Sequence, residues 1–142
     1  MGALMISLNI NHPDVEEFID IKANTDKITN ANISVRVSDE FMEAVQEDAD
    51  YILHWPCDMT ISDSEAQHLE YNKLTTVETT CGPVYLRKVK ARYLFQKLVH
   101  NNWDYGEPGI LYWDRITNYH MMSNNPDFAY AGVNPCRLKC RA

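Results

Sequence analysis

The sequence predicts a single α/β domain, and three observations carry that prediction. The first is an order of elements that reads strand, helix, strand, helix, strand between Gly2 and Trp55, the alternation of units joined by crossover connections. The second is the nearly continuous apolar run Ala3, Leu4, Met5, Ile6, Leu8 and Ile10, which suits a strand covered on both faces. The third is size. A chain of 142 residues with 45% apolar and 23% charged side chains can bury one real core and is too short for two.

Each element has its own justification. The opening strand is closed by Asn11, and Pro13 then starts a helix at a position where its missing N–H costs nothing. Asp14, Glu16 and Glu17 lie at the positive end of that helix, and Val15, Phe18 and Ile19, with the stem of Lys22, form its inner face. The polar stretch Asn24 to Asn30 is a loop. Ile33, Val35 and Val37 alternate with Ser34 and Arg36, a second strand with one more polar face. Ser38 caps a second helix, with Asp39 and Glu40 in its first turn, Phe41, Met42 and Val45 buried, and an end near Asp48. Tyr51 to Trp55 is a short strand stopped by Pro56.

Residues 57–81 carry little periodicity and read as a surface excursion, with a short helix near 64–71. Val84 to Val89 returns as a strand. Lys90 to Trp103 is a helix with Leu94, Phe95, Leu98 and Val99 facing inward, broken by Gly106, Pro108 and Gly109. Ile110 to Trp113 is a last strand, Asp114 to Tyr119 a helical turn, and the rest is loop as far as the turn Val133-Asn134-Pro135-Cys136.

Charge and composition narrow the function. A net charge of −7 argues against a general nucleic-acid or acidic-membrane surface, because phosphate backbones are held by an excess of Lys and Arg. No apolar run approaches the ~20 residues needed to span a bilayer. The apolar start lacks a basic region and a cleavage site, so it reads as a strand and not as a signal peptide. Cys57, Cys81, Cys136 and Cys140 show no framework spacing, which suits reduced thiols and a cytoplasmic protein.

Several constellations have a plain reading beside the functional one. His54 and Cys57 have metal-ligand spacing, but no second pair completes four ligands, and a strand-end histidine is the simpler reading. Cys136 and Cys140, flanked by Arg137 and Lys139, could form a redox pair, although the spacing is not the two-residue kind. The carboxylates at the two helix starts are explained by the helix dipole. Lys22, Lys27 and Arg36 could meet a phosphate, but no Gly-rich cradle accompanies them. Glu107-Pro108-Gly109 is chiefly a turn signal. Pro135 constrains the loop that carries Asn134 and Cys136, so an amide and a thiol two residues apart can be held over one small substrate.

Four segments taken in register resemble a known family. They are Gly2 to Asn9 followed by His12 to Ile19, Ala31 to Val35 with Asp39 to Met42, Glu107 to Arg115, and Asn134-Pro135-Cys136. Together they resemble the catalytic chain of ribonucleotide reductases, with wording nearest the adenosylcobalamin-dependent (class II) branch. The resemblance implies part of a ten-stranded α/β barrel over residues 1–136, with 137–142 a non-family tail. By the same resemblance Cys136 is the cysteine that becomes a thiyl radical and Asn134 the substrate-holding amide. Adenosylcobalamin would supply the first radical by homolysis of its cobalt–carbon bond. Ribonucleotide substrate, nucleotide effectors and a thiol reductant such as thioredoxin are the implied partners, with a homodimer allowed and neither nucleic acid nor membrane expected.

The departures matter as much. The family pattern places a glutamate at position 138, where this chain has Leu138, and Arg137 to Ala142 resemble nothing in the family. The effector-binding elements, the upstream reducing cysteine, the phosphate-binding loop and the C-terminal thiols have no counterpart in these residues. The reading is therefore a reductase fragment that is inactive alone. A class I large-subunit fragment and a non-catalytic α/β module descended from a reductase are the alternatives.

Overall fold

The computed structural model describes residues 4–23, 31–56, 66–122 and 124–129. In chain order the elements are β1 (Leu4–Asn9), α1 (Val15–Ile19) with a 3-10 turn (Asp20–Lys22), β2 (Ala31–Val37), α2 (Asp39–Glu47) and β3 (Asp50–Trp55). They continue with β4 (Thr75–Thr79), β5 (Gly82–Lys90), α3 (Ala91–Tyr105), β6 (Gly109–Tyr112) and α4 (Trp113–Asn118).

The strands form two sheets. One is parallel, in the order β1-β2-β6, and the other antiparallel, in the order β3-β5-β4. The α/β class is as expected, but the strand at Tyr51–Trp55 does not extend the parallel sheet. It pairs antiparallel with β5, setting Tyr51 opposite Val89 and Trp55 opposite Tyr85. Periodicity marks a strand without marking its partner, and this partner lies some thirty residues further on. Part of the surface excursion is also a strand. β4 is a Thr-rich hairpin partner of β5, half-exposed along its length, and its polar composition hid it. Of the helix expected at 64–71, the first residues lie outside the described ones, and Tyr71 is already bridged to Lys88. Among the described residues the strands close no barrel.

Burial corrects two further expectations. β1 is an edge strand of its sheet, so its residues are only partly covered and Leu4 is 56% exposed. The better covered strand is the central β2, where Ile33, Ser34, Val35 and Val37 are buried while Asn32 is exposed and Arg36 half-buried. On α3, Ala91, Leu94, Leu98 and Asn101 make the buried stripe, and Val99 is exposed. Val99 lies about 100° round the helix from Leu98, beyond Phe95 at the rim of the stripe, and so reaches solvent. Trp113 opens α4 and does not end the strand.

The helix ends follow local chemistry. Ser38 Oγ accepts the Phe41 N–H at 3.1 Å, as a capping serine should. Asp48 closes α2 in the left-handed region, and Gly106 closes α3 with φ 70°, a conformation that costs glycine nothing. One core joins all of this. Val15 and Ile19 of α1, Val35 and Val37 of β2, Phe41 of α2, Leu53 of β3, Val89 of β5 and Leu94 and Leu98 of α3 belong to a single buried cluster. The two sheets therefore share one interior.

Candidate functional site

The register of the parallel sheet sorts its side chains onto two faces. Ile6, Ile33, Leu8, Val35 and Ile110 share the apolar face. The opposite face is polar. Ser7 sits beside Ser34 and Gly109, and Asn9 beside Arg36 and Leu111, with Asn32 one step below. Arg36 Nε donates to Ser7 Oγ at 3.0 Å, tying β2 to β1 across that face.

At the carboxyl ends of the three strands the polar face opens into a cavity of about 220 Å³, lined by residues that include Asn9, Asn11, Arg36, Glu40, Tyr51 and Trp113. The Arg36 guanidinium lies over the Trp113 ring, 4.2 Å from its centroid, a stacking that holds the charge while leaving its edge for hydrogen bonds. Asp114, the next residue, accepts the Asp39 N–H at 2.7 Å and so caps α2 from a distant part of the chain. The cavity thus joins a fixed cation, two carboxylates and the positive end of α2 at the place where open α/β sheets bind ligands.

Two ion-pair groups support this frame. Lys22 Nζ meets Glu107 Oε2 at 2.9 Å and donates to the Ala31 carbonyl at 2.9 Å, with both side chains nearly buried. Glu107 is therefore more than a turn signal, and Lys22 is a tie between the turn after α1 and the entry to β6. Glu16 receives Arg87 at 2.6 Å, Lys97 at 2.9 Å and the Tyr93 hydroxyl at 3.2 Å. Burial pushes its carboxyl up, but these donors outweigh burial and hold it below the ordinary carboxylate value. What reads in the sequence as a helix-dipole carboxylate is a hub that pins α1 to β5 and α3.

The residues singled out from the sequence fare differently. Asn134, Cys136, Cys140, Cys57 and Lys27 lie outside the described residues. His54 is committed to structure. Its Nδ1 is 2.9 Å from the Pro56 carbonyl and its Nε2 is 3.3 Å from Asn11 Nδ2, which leaves neither nitrogen for a metal. Among the described residues no group of three or more His, Cys, Asp or Glu could hold a metal ion. None of their helices is long and apolar enough to cross a membrane. Of Lys22 and Arg36, the candidate cations among the described residues, Arg36 lines the cavity at the sheet's carboxyl edge. Ser7, Asn9, Trp113 and Asp114 were not singled out beforehand. The polar alternation at 32, 34 and 36 was the available signal for that face.

A parallel sheet with one apolar and one polar face, and a cavity at its carboxyl edge, places the chain among α/β domains. The family is a further step, and the chain belongs to the ribonucleotide reductase barrel-domain family, whose model (Ribonucleotide reductase, barrel domain) matches residues 1–137. The chain is similar to the vitamin B12-dependent ribonucleoside-diphosphate reductase of Thermoplasma acidophilum, 29% identical over 136 residues, covering 95% of this chain and 14% of that protein. It is similar to the vitamin B12-dependent ribonucleotide reductase of Streptomyces avermitilis, 31% identical over 95% of this chain and 14% of that protein. The ribonucleoside-diphosphate reductase large subunit of Dictyostelium discoideum is 32% identical over 80% of this chain and 13% of its own length. The chain thus spans about one seventh of the length of the curated relatives it matches. The resemblance to the B12-dependent branch holds.

Proposed function

We propose that these residues are the part of a ribonucleotide reductase that presents the radical-bearing cysteine to substrate, in an enzyme making 2′-deoxyribonucleotides for DNA synthesis. The observation that carries this reading is the family match over residues 1–137. The polar face around Ser7, Asn9, Ser34 and Arg36 supports it as a surface fit for a ribose and its hydroxyls. Residues 1–136 form the reductase unit in this reading, and 137–142 are an unrelated tail.

Cys136 acts as the hydrogen-transfer group. Its thiyl radical takes the C3′ hydrogen, breaking that C–H bond, forming S–H and leaving the electron on carbon. The step is reversible because the two bonds are close in strength, and the sulfur returns the hydrogen after the 2′-hydroxyl has left as water. A dithiol that ends as a disulfide supplies the two electrons, the hydrogen that replaces the hydroxyl and the proton with which the hydroxyl leaves as water. Asn134 fixes the ribose against the sulfur, where orientation lowers the barrier.

Adenosylcobalamin enters this reading through the names of the relatives. Cavities of about 220, 290 and 380 Å³ among the described residues have room for a small ligand. When bound in the whole enzyme, adenosylcobalamin would supply the carbon radical that takes the hydrogen from the Cys136 thiol. Nucleotide effectors, a thioredoxin-like reductant, a homodimer and a cytoplasmic location belong to the same proposal.

The test has two parts. The 142-residue chain, given ribonucleotide, adenosylcobalamin and dithiol, is expected to form no deoxynucleotide above background, and product formation would overturn the assignment of inactivity. Residues 1–136 are then exchanged for the matching segment of the Thermoplasma acidophilum enzyme, keeping that enzyme's own sequence beyond. Activity that survives the exchange and is lost in Cys136→Ser supports the reading. Activity indifferent to Cys136→Ser defeats it. In a longer exchange that includes Leu138, Leu138→Glu is expected to raise turnover about a hundredfold, the usual size of an acid–base group's contribution.

A further inference from the structure

A second pocket, away from the parallel sheet's polar face, has a different chemistry. Trp55 at the end of β3 and Tyr85 of β5 stand directly opposite in the antiparallel register, so their rings share one face. The His12 ring packs on Trp55 with centroids 5.0 Å apart and planes tilted by 53°. Pro13, Asp14 and Leu74 complete a cavity of about 290 Å³. Trp55, Tyr85 and Leu74 remain 48%, 37% and 54% exposed.

Among the described residues the lining is electron-rich, and its one group that could carry positive charge is His12, whose Nδ1 is 3.9 Å from the Asp14 carboxylate. Aromatic faces carry the negative part of the ring quadrupole. The Asp14 carboxylate is 72% exposed. The Asp14 N–H donates to His12 Nδ1 at 3.1 Å, which fixes the ring beside the start of α1. No Lys or Arg among the described residues lines the cavity. The cation reaching this side of α1, Arg87, gives Nη2 to Glu16 at 2.6 Å and Nη1 to the Pro13 carbonyl at 3.4 Å. A phosphate-bearing ligand would meet the exposed Asp14 carboxylate, whereas an organic cation would find both the carboxylate and the rings favourable.

We propose that this pocket binds a compact organic cation of the methylated-ammonium class, held by Trp55 and Tyr85 with Asp14 as counter-charge. The proposal is independent of the reductase reading, since it involves neither Cys136 nor the polar face. Its test is titration of the 142-residue chain with choline, followed by the indole N–H resonance of Trp55, which a Trp55→Phe variant assigns. The neutral carbon isostere, dimethylbutanol, is titrated in parallel. A saturable shift is expected, with the isostere about tenfold weaker, as cation–π attraction and a carboxylate together require. Asp14→Asn, at an exposed position that leaves the fold intact, is expected to weaken choline about threefold or more and to leave the isostere unchanged. Equal binding of choline and isostere would reduce the site to an apolar dimple and overturn the proposal. So would an absent shift, a preference for a nucleotide, or an Asp14→Asn variant that binds choline as well as the parent.

Discussion

At the scale of single residues the charged side chains do most of their work as ties between elements. Asp50 is the clearest case. Lys90 at 2.6 Å and the Tyr71 hydroxyl at 2.6 and 2.7 Å donate to its carboxylate, with Lys88 at 3.2 Å. The Lys90 and Tyr71 hydrogen bonds pull its pKa from 3.8 down to about 2, against a smaller opposing effect of burial. A depressed carboxylate contributes stability that is fully present above its unfolded pKa and lost as pH falls through the folded one. Between pH 4 and 2 the urea midpoint of the parent chain is therefore expected to fall more steeply than that of Asp50→Asn. Parallel slopes would show that the two lysines and the tyrosine do not stabilise the charged form. Nothing in the sequence identified Asp50, because its partners come from β5 and from the segment that read as featureless.

At the scale of elements, α2 shows how local and distant signals combine. Its serine cap and buried Phe41 were legible from the residues alone, since both lie within one turn of the helix start. The second cap was not, because Asp114 is seventy-five residues from Asp39. Asp114→Ala is expected to cost about 1 kcal/mol, the usual worth of an N-cap acceptor, read from the urea midpoint. A loss under a few tenths would mean that water replaces the carboxylate at that N–H. Helix α3 teaches the converse. Its length and Gly106 stop were readable, but the choice of Asn101 over Val99 for the buried stripe depends on what waits there. Asn101 Nδ2 reaches the Ile19 carbonyl at 3.1 Å and Asp20 Oδ1 at 2.9 Å, so a polar residue is satisfied inside.

At the scale of the whole molecule, the parallel and antiparallel sheets are joined through the cluster that contains Leu94 and Leu98. Leu98 is fully buried there, and Leu98→Ala is expected to cost about 2–5 kcal/mol, the range for emptying a packed leucine site. The loss is expected in one transition, seen at the same urea concentration by tryptophan fluorescence and by far-UV circular dichroism. Two separated transitions would show that the sheets unfold independently and do not share a cooperative core.

The sequence by itself determined the α/β class, five of the six strands, the cap and buried side of α2, and the reductase family through segments in register. These are local patterns or ordered matches, and each can be read without knowing what lies across the fold. Tertiary structure alone decided that β3 turns away into an antiparallel sheet, that β2 and not β1 is the covered strand, and that Arg36 is stacked on Trp113 at the cavity. The physical reason is common to all three. Strand pairing, burial and the environment of a charge are set by residues far away in the chain, and periodicity carries no information about which distant partner will arrive.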